Sequence, residues 1–346
     1  MKTRSVLTVL AMALTLGFLP AGTSAGPPVP ILIQEQGSFF VGGVPFITDR
    51  HTTVVGAASD PGTTTINQSY VKFQIPHVRK SLFPVILFTG GGHTGAVYET
   101  TPDGREGWAN HFVRTGFPVY NPDGVNRGGS SWDLTGIAQV AQGDLPIADI
   151  TSINRRHHAQ AWTGFRIGPA LGIQNPGGQF PVEAFEHYTN QLVPAFRDAI
   201  EDVKNSTALV ALLDKIGPSI VVTWSQSGRF GASAAVQRPD LVKALILLEP
   251  AAVSQAGVMT GISQADWDSI SHIPILLEVG DFDPVRVVRQ RNFCNTIGNN
   301  CTLLELTELG IFGNGHVVMV EKNNLQVADV IIDWLKMMLG KHPKHP

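Results

Sequence analysis

A serine set between a strand and a helix constrains this chain more than any other stretch. Residues 220–222, Ile-Val-Val, are apolar and β-branched and read as a buried strand. They run through Thr223 and Trp224 into Ser225-Gln226-Ser227-Gly228, and then into an Ala-rich segment, 232–237, of helical character. Strand, sharp turn and helix with a serine at the tip describe a nucleophile elbow, usually written G-x-S-x-G. Here the two small positions are Thr223 and Ser227. The demand for small residues is steric, because the serine sits on strained backbone and side chains two positions away would strike the turn. Thr223 is the weak point of the match, since its branched Cβ is bulkier than glycine. So short a pattern also recurs in ordinary strand–helix turns, and its weight depends on what surrounds it.

The ends of the chain bound the compartment. Lys2 and Arg4 precede an apolar run at 6–19, Pro20 breaks it, and Thr23-Ser24-Ala25 offers a cleavage site. Residues 1–25 therefore read as a signal peptide, and the mature protein, 26–346, is expected to be secreted or periplasmic. No later stretch is long and apolar enough for a transmembrane helix. In an exported chain the two cysteines, Cys294 and Cys301, are expected to pair and staple one local loop. One disulfide cannot make a scaffold, so a hydrophobic core must hold the fold. A net charge of −3 offers no basic field for nucleic acid.

The first part of the chain reads as antiparallel strand material. Residues 31–36 and 38–41 are expected to form two strands around Gly37, with Gly42-Gly43 turning the chain, and 52–57 and 70–75 two more. From Phe83 the character changes. Strands are expected at 84–88, 117–120, 220–222, 244–248, 274–279 and 302–306. Helices are expected near 108–114, over 180–200, 203–216 and 232–237, and at 327–339. This alternation implies a single α/β domain with a mostly parallel central sheet and helices on both faces. Residues 124–178, rich in Gly, Asn, Pro and Asp, are expected to form a cap or lid insertion that contains some helix.

A serine is a poor nucleophile until a base takes its proton, and the histidine that does so needs a carboxylate partner. His316, in Gly313-Asn314-Gly315-His316, lies between the last expected strand and the last helix, on a loop that can swing onto Ser225. Two positions can supply the acid. Glu249 follows the strand 244–248 and precedes Pro250; Asp281 and Asp283 follow the strand 274–279. Carboxylates at the carboxyl ends of parallel strands face the crevice where ligands bind, and the local sequence does not choose between them. Gly90-Gly91-Gly92 directly follows the strand 84–88. Without Cβ atoms, Gly91 or Gly92 can bring a backbone N–H to a substrate oxygen and form an oxyanion hole with the N–H of Gln226. His93 follows these glycines, whereas HGGG-type loops carry histidine before them. Arg155-Arg156-His157-His158 reads as a polar lid surface: adjacent residues do not share a helix face, and zinc spacings such as HExxH are absent. No metal or other cofactor is called for. Asn67, Asn205 and Asn300 head glycosylation sequons.

With these residues assembled, the chain resembles the secreted serine esterases of the esterase 713 type, a branch of the α/β-hydrolase superfamily. The likeness runs through Gln36-Gly37-Ser38-Phe39-Phe40-Val41-Gly42-Gly43, Gly91-Gly92-His93-Thr94-Gly95, Trp224-Ser225-Gln226-Ser227-Gly228, Leu248-Glu249-Pro250 and Gly313-Asn314-Gly315-His316. The last leads into Met319-Val320-Glu321-Lys322-Asn323-Asn324. The resemblance implies Ser225 as nucleophile, His316 as base and Glu249, after the sixth strand, as acid in preference to Asp283. It departs from the family in the oxyanion loop, a plain glycine run where the family type carries cysteines. The function implied is hydrolysis of a small-molecule carboxylic ester through an acyl-enzyme, with an acyltransferase or lactonase using the same triad as the alternative within enzymes. A non-catalytic binding protein of the same fold is the reading from another class. A homodimer is compatible with the family likeness; composition says nothing of it.

Overall fold

The structure is a computed structural model, and it describes residues 30–196, 200–298 and 300–340. The expected signal peptide lies outside the described residues. Among those residues one sheet is built from eight strands: β1 Ile33–Thr48, β2 Gly62–Pro76, β3 Val85–Phe88, β4 Val119–Pro122, β5 Ser219–Trp224, β6 Val242–Leu248, β7 Ile275–Val279 and β8 Cys301–Glu305. Their order in space is β1-β2-β4-β3-β5-β6-β7-β8. β1 pairs with β2, and β2 with β4, in antiparallel fashion. Every pairing from β4 to β8 is parallel.

The inner strands are apolar along their whole length because both faces are covered. Val85, Leu87, Val222, Trp224, Ile246 and Leu248 point to one face, where they meet helices α1 (Trp108–Thr115) and α5 (Asn324–Leu339) through Trp108, Phe112, Val327 and Ile331. Ile86, Phe88, Val221, Leu245 and Leu247 point to the other. There they meet α2 (Glu201–Ile216), α3 (Gly228–Gln237) and α4 (Pro284–Ile297) through Leu209, Leu213, Phe230 and Phe293. This is the mostly parallel, doubly covered sheet that the alternation of elements predicts. Cys294 near the end of α4 and Cys301 at the start of β8 form a disulfide, with their Cα atoms 5.5 Å apart.

Three expectations are corrected. β1 does not break at Gly37 or turn at Gly42-Gly43. Its pairing with β2 runs on from Gly42–Gln68 to Val44–Ile66, and the left-handed backbone of Gly42, Gly43 and the facing Asn67 kinks the two strands together. Residues 52–57 form no strand; a turn at Gly56, φ 73°, lies within the connection from β1 to β2. The expected long helix over 180–200 is a short one, Phe185–Asn190, because Pro194 cannot continue it and biases Val193 to extended backbone. Ala195–Phe196 instead pairs with Ile153–Asn154 of the insertion. Residues 124–178 contain helix, at Thr135–Gln142 and His158–Gly164. The Asn205 sequon is buried, with its side chain engaged by the chain, and could not carry a glycan in this fold.

Candidate active site

The register of the parallel strands brings the chemistry together. Thr223 pairs with Phe88, Trp224 with Leu248, and Leu248 with Glu278, so the strands end along one edge of the sheet. The next residues after β5 and β6 are Ser225 and Glu249, and both have left-handed backbone, φ 59° and 46°. For residues with a Cβ such conformations are strained, and two of them at neighbouring strand ends mark a functional edge.

The departures from G-x-S-x-G have local explanations. Thr223 fits because Gly231, one turn into α3, faces it: a Cβ on Gly231 would stand 2.6 Å from Thr223 Cγ2. The Thr223 hydroxyl donates to the carbonyl of Ile246 at 3.1 Å. Ser227 is fully buried and receives the Trp224 N–H at 2.9 Å, with its Oγ also 3.1 Å from the Phe88 carbonyl. It braces the turn and is turned away from solvent.

His316 is fixed from both sides of its backbone. Its N–H donates to the Phe165 carbonyl at 3.0 Å, and its own carbonyl receives the Trp224 indole N–H at 2.6 Å. The Phe165 ring lies parallel to the imidazole at 5.8 Å. Nε2 stands 2.8 Å from Ser225 Oγ. If Nε2 accepts the serine proton, the imidazole proton is on Nδ1, which faces Glu249 Oε2 at 3.5 Å.

Glu249 is fully buried and densely held. The Gly280 N–H donates to Oε1 at 2.8 Å, Arg286 Nε donates to Oε2, and Arg166 Nη2 lies 2.6 Å from Oε2. Burial alone would raise the Glu249 carboxyl, but Arg166 and Arg286 outweigh it and hold the group well below the usual carboxylate range. Burial lowers His316 to about 3; Glu249 opposes that shift and the two guanidinium groups add to it. The two aspartates have other tasks. Asp283 caps α4 by accepting the Arg286 N–H at 3.0 Å. Asp281 accepts the N–H groups of Gly313 and Asn314 at 2.8 and 2.6 Å, holding the histidine loop.

Sequence reasoning missed Arg166 and Arg286 and gave Glu321 no role of its own. Glu321 is buried behind the loop and accepts from Gly315 N and Asn314 Nδ2 at 2.7 and 2.6 Å; burial raises it to about 7. A signal for Arg286 was present. A cation in the first turn of a helix opposes the helix dipole, so its placement there calls for a carboxylate nearby. Arg166 carries no such mark; it reaches Glu249 from the end of the insertion with φ 59°.

The glycine loop is anchored by His93. Its Nδ1 lies 3.2 Å from the Gly91 carbonyl and its Nε2 2.9 Å from the Tyr188 hydroxyl, so Nδ1–H donates to Gly91 and Tyr188 donates to Nε2. Burial lowers His93 to about 4 and keeps the ring neutral. The Gly92 carbonyl accepts the Val193 N–H at 2.9 Å. Gly90 passes so close to the elbow that a Cβ there would meet the Trp224 ring at 2.8 Å and Ser225 Cβ at 3.0 Å. The Arg155–His158 stretch packs locally: Arg155 donates to the Leu192 carbonyl at 3.0 Å, Arg156 lies over the Phe165 ring, and His157 caps a short helix.

Known proteins similar to this chain include an esterase and a lipase. No family model matches the chain. It is 32% identical over 321 residues to a protein named probable secreted lipase phiG, from a fungal species (strain ATCC 74256), covering 77% of this chain and 85% of that one. A bacterial esterase solved at atomic resolution superposes with a TM-score of 0.81 and 32% identity, covering 90% of this chain and 98% of that chain.

Proposed function

The chain belongs to the α/β-hydrolase family of serine esterases and lipases, and we propose that Ser225, His316 and Glu249 are its catalytic triad. It is a serine ester hydrolase. In the proposed cycle His316 Nε2 takes the proton of Ser225 as Oγ attacks the ester carbonyl. The same proton then passes to the leaving alcohol, and water repeats the sequence on the acyl-enzyme. Glu249 faces Nδ1 and stabilises the imidazolium that forms; Arg166 and Arg286 keep it ionised and in place. Gly91 or Gly92, with Gln226, supply the N–H groups for the oxyanion. The observation that carries this reading is the 2.8 Å contact between His316 Nε2 and the Oγ of a serine held at φ 59°.

Residues 124–178 serve in this reading as a cap that also delivers Arg166 and Phe165 to the triad. The likeness to a secreted lipase and the apolar run behind Lys2 and Arg4 support export. No helix among the described residues is long and apolar enough to cross a membrane. The test is hydrolysis of p-nitrophenyl acetate by the purified chain and by Ser225→Ala. The substitution is expected to cost on the order of a millionfold in kcat; a folded variant that keeps a few percent of the activity contradicts the proposal. N-terminal sequencing of the exported protein tests cleavage after Ala25.

A further inference from the structure

Behind the elbow lies a ring of three buried polar side chains that the proposed cycle does not use. Arg127 is fully buried at the start of the insertion, Glu201 opens α2, and Gln226 follows Ser225. Their side chains close a triangle. Arg127 Nη2 donates to one Glu201 carboxylate oxygen and, at 3.1 Å, to Gln226 Oε1. Gln226 Nε2 donates to the other Glu201 oxygen at 2.7 Å. From this triangle Arg127 Nη1 donates to the Gly90 carbonyl at 3.1 Å. A buried arginine–glutamate pair is weak evidence for stability, because desolvation offsets most of its attraction. Its value here has to be sought in what it holds.

It holds the Gly90 carbonyl and the side chain of Gln226, the residue after Ser225. The 90–91 peptide is trans, so its N–H points opposite to its C=O. Turning Gly90 O onto Arg127 therefore turns the Gly91 N–H away from the guanidinium, and no acceptor among the described residues takes that N–H. Gly90 lies against the elbow, where a Cβ would stand 2.9 Å from the Trp224 carbonyl. On the other side, the Gln226 side chain is tied to the same guanidinium–carboxylate pair, which fixes the residue whose N–H is the second donor.

We propose that Arg127 and Glu201 are positioning residues of the oxyanion hole, setting the Gly91 and Gln226 N–H groups at a fixed separation beside Ser225. The inference rests on the reading of Ser225 as nucleophile. Donors to a developing oxyanion act through alignment that exists before the reaction, and neither Arg127 nor Glu201 needs to touch substrate to supply it.

The test uses Arg127→Gln and Gln226→Ala in the full-length secreted protein. Gln226→Ala keeps the backbone donor and the Arg127–Glu201 pair and removes only the tether. Three quantities are read on variants shown to be folded by circular dichroism: kcat and KM for p-nitrophenyl butyrate, the pH of the acid limb, and inhibition by an aryl trifluoromethyl ketone. Ser225 Oγ adds to the ketone carbon, its proton passes to His316, and the carbonyl oxygen becomes the anion of a hemiketal. The expected result is a fall in kcat of roughly 10²-fold, the scale of losing one oxyanion donor, with KM within about threefold of wild type. Ketone affinity should fall by a similar factor, the acid limb should stay in place, and the double variant should lose little more than the worse single one. Unchanged kcat and ketone affinity in a folded variant, or a loss confined to KM, overturns the clamp. Gln226→Ala decides alone if Arg127→Gln does not fold. A wild-type protein that neither hydrolyses ester nor takes a phosphonate on Ser225 defeats the nucleophile reading instead, whereas active variants beside an active, labelled wild type defeat only the clamp.

Discussion

Replacing Glu249 by glutamine keeps the shape of the side chain and removes the charge on which its partners converge. In the native protein one carboxylate oxygen faces Arg286 Nε, Arg166 and His316 Nδ1, and the other accepts the Gly280 N–H. An amide has only one oxygen for these donors. Whichever way it turns, its NH₂ meets either the two guanidinium groups or the Gly280 amide. The stability cost follows from the arginines, which lose their common carboxylate. Breaking a buried pair costs on the order of 3–5 kcal/mol. Arg286 keeps its bonds to the carbonyls of Glu249 and Pro250, so the lower end of that range is expected. The catalytic cost is separate: imidazolium formation loses its counter-charge and the tautomer facing Ser225 loses its support. In a comparable triad the equivalent change costs roughly 10⁴-fold. The assay is kcat/KM for p-nitrophenyl acetate, with urea unfolding of the same preparation. Asp283→Asn is the control, because asparagine caps a helix as well as aspartate; its activity should stay within about threefold of wild type. Asp281→Asn leaves one carbonyl for the two amides it now holds, and should cost about tenfold through a looser histidine loop, the scale of one hydrogen bond. A folded Glu249→Gln enzyme with more than about a tenth of wild-type activity, or an inactive Asp283→Asn, would refute the assignment.

Other consequences are open to simpler measurements. His316 must be neutral to act as base, and burial with the adjoining arginines lowers it to about 3, so kcat/KM should hold nearly level as pH falls from 7 to about 5. An ordinary imidazole with pKa ~6.5 would be roughly 97% protonated at that point, and a limb centred near 6.5 would contradict the electrostatics; Arg286→Gln, which removes a cation, should move the limb upward. Gly231→Ala should destabilise by about 1–3 kcal/mol in urea unfolding, since its Cβ meets Thr223 Cγ2. Adding Thr223→Ser, which removes that methyl and keeps the hydroxyl, should restore most of the loss, and no restoration would argue against the steric account. Removing the Cys294–Cys301 bridge, which spans a sequence separation of 7, should cost about 2.5 kcal/mol by loop closure and leave kcat of the folded enzyme intact; a kcat loss would mean the bridge reaches the site.

What the chain discloses before folding is what is local. The elbow is a strand, a serine and a helix in unbroken succession, Glu249 sits just past a strand with a rigid neighbour, and the histidine lies on a glycine-flanked loop between the last strand and the last helix. The glycines misled where they act as kinks: Gly42-Gly43 reads as a turn, yet β2 continues opposite and holds β1 extended through them. Pro194 marked the true end of the helical pattern over 180–200 and was outweighed by its apolar spacing. The clamps could not be read at all. Arg286 lies 37 residues from Glu249, and Arg127 lies 74 from Glu201 and 99 from Gln226. Nothing in the neighbourhood of either arginine names its distant carboxylate, and only the folded chain brings the partners together. Of these side chains Arg286 alone gave a warning, as a cation in the first turn of a helix.

The central claim is that Ser225 is the nucleophile, and a fluorophosphonate followed by peptide mass mapping tests it most directly. Two serines lie within the turn. Ser225 is in contact with His316 Nε2, whereas Ser227 is fully buried and bonded to Trp224 and Phe88. The account predicts one adduct, on Ser225, formed in step with the loss of esterase activity and greatly slowed in His316→Ala. An adduct on Ser227, or full loss of activity with Ser225 unmodified, would contradict it.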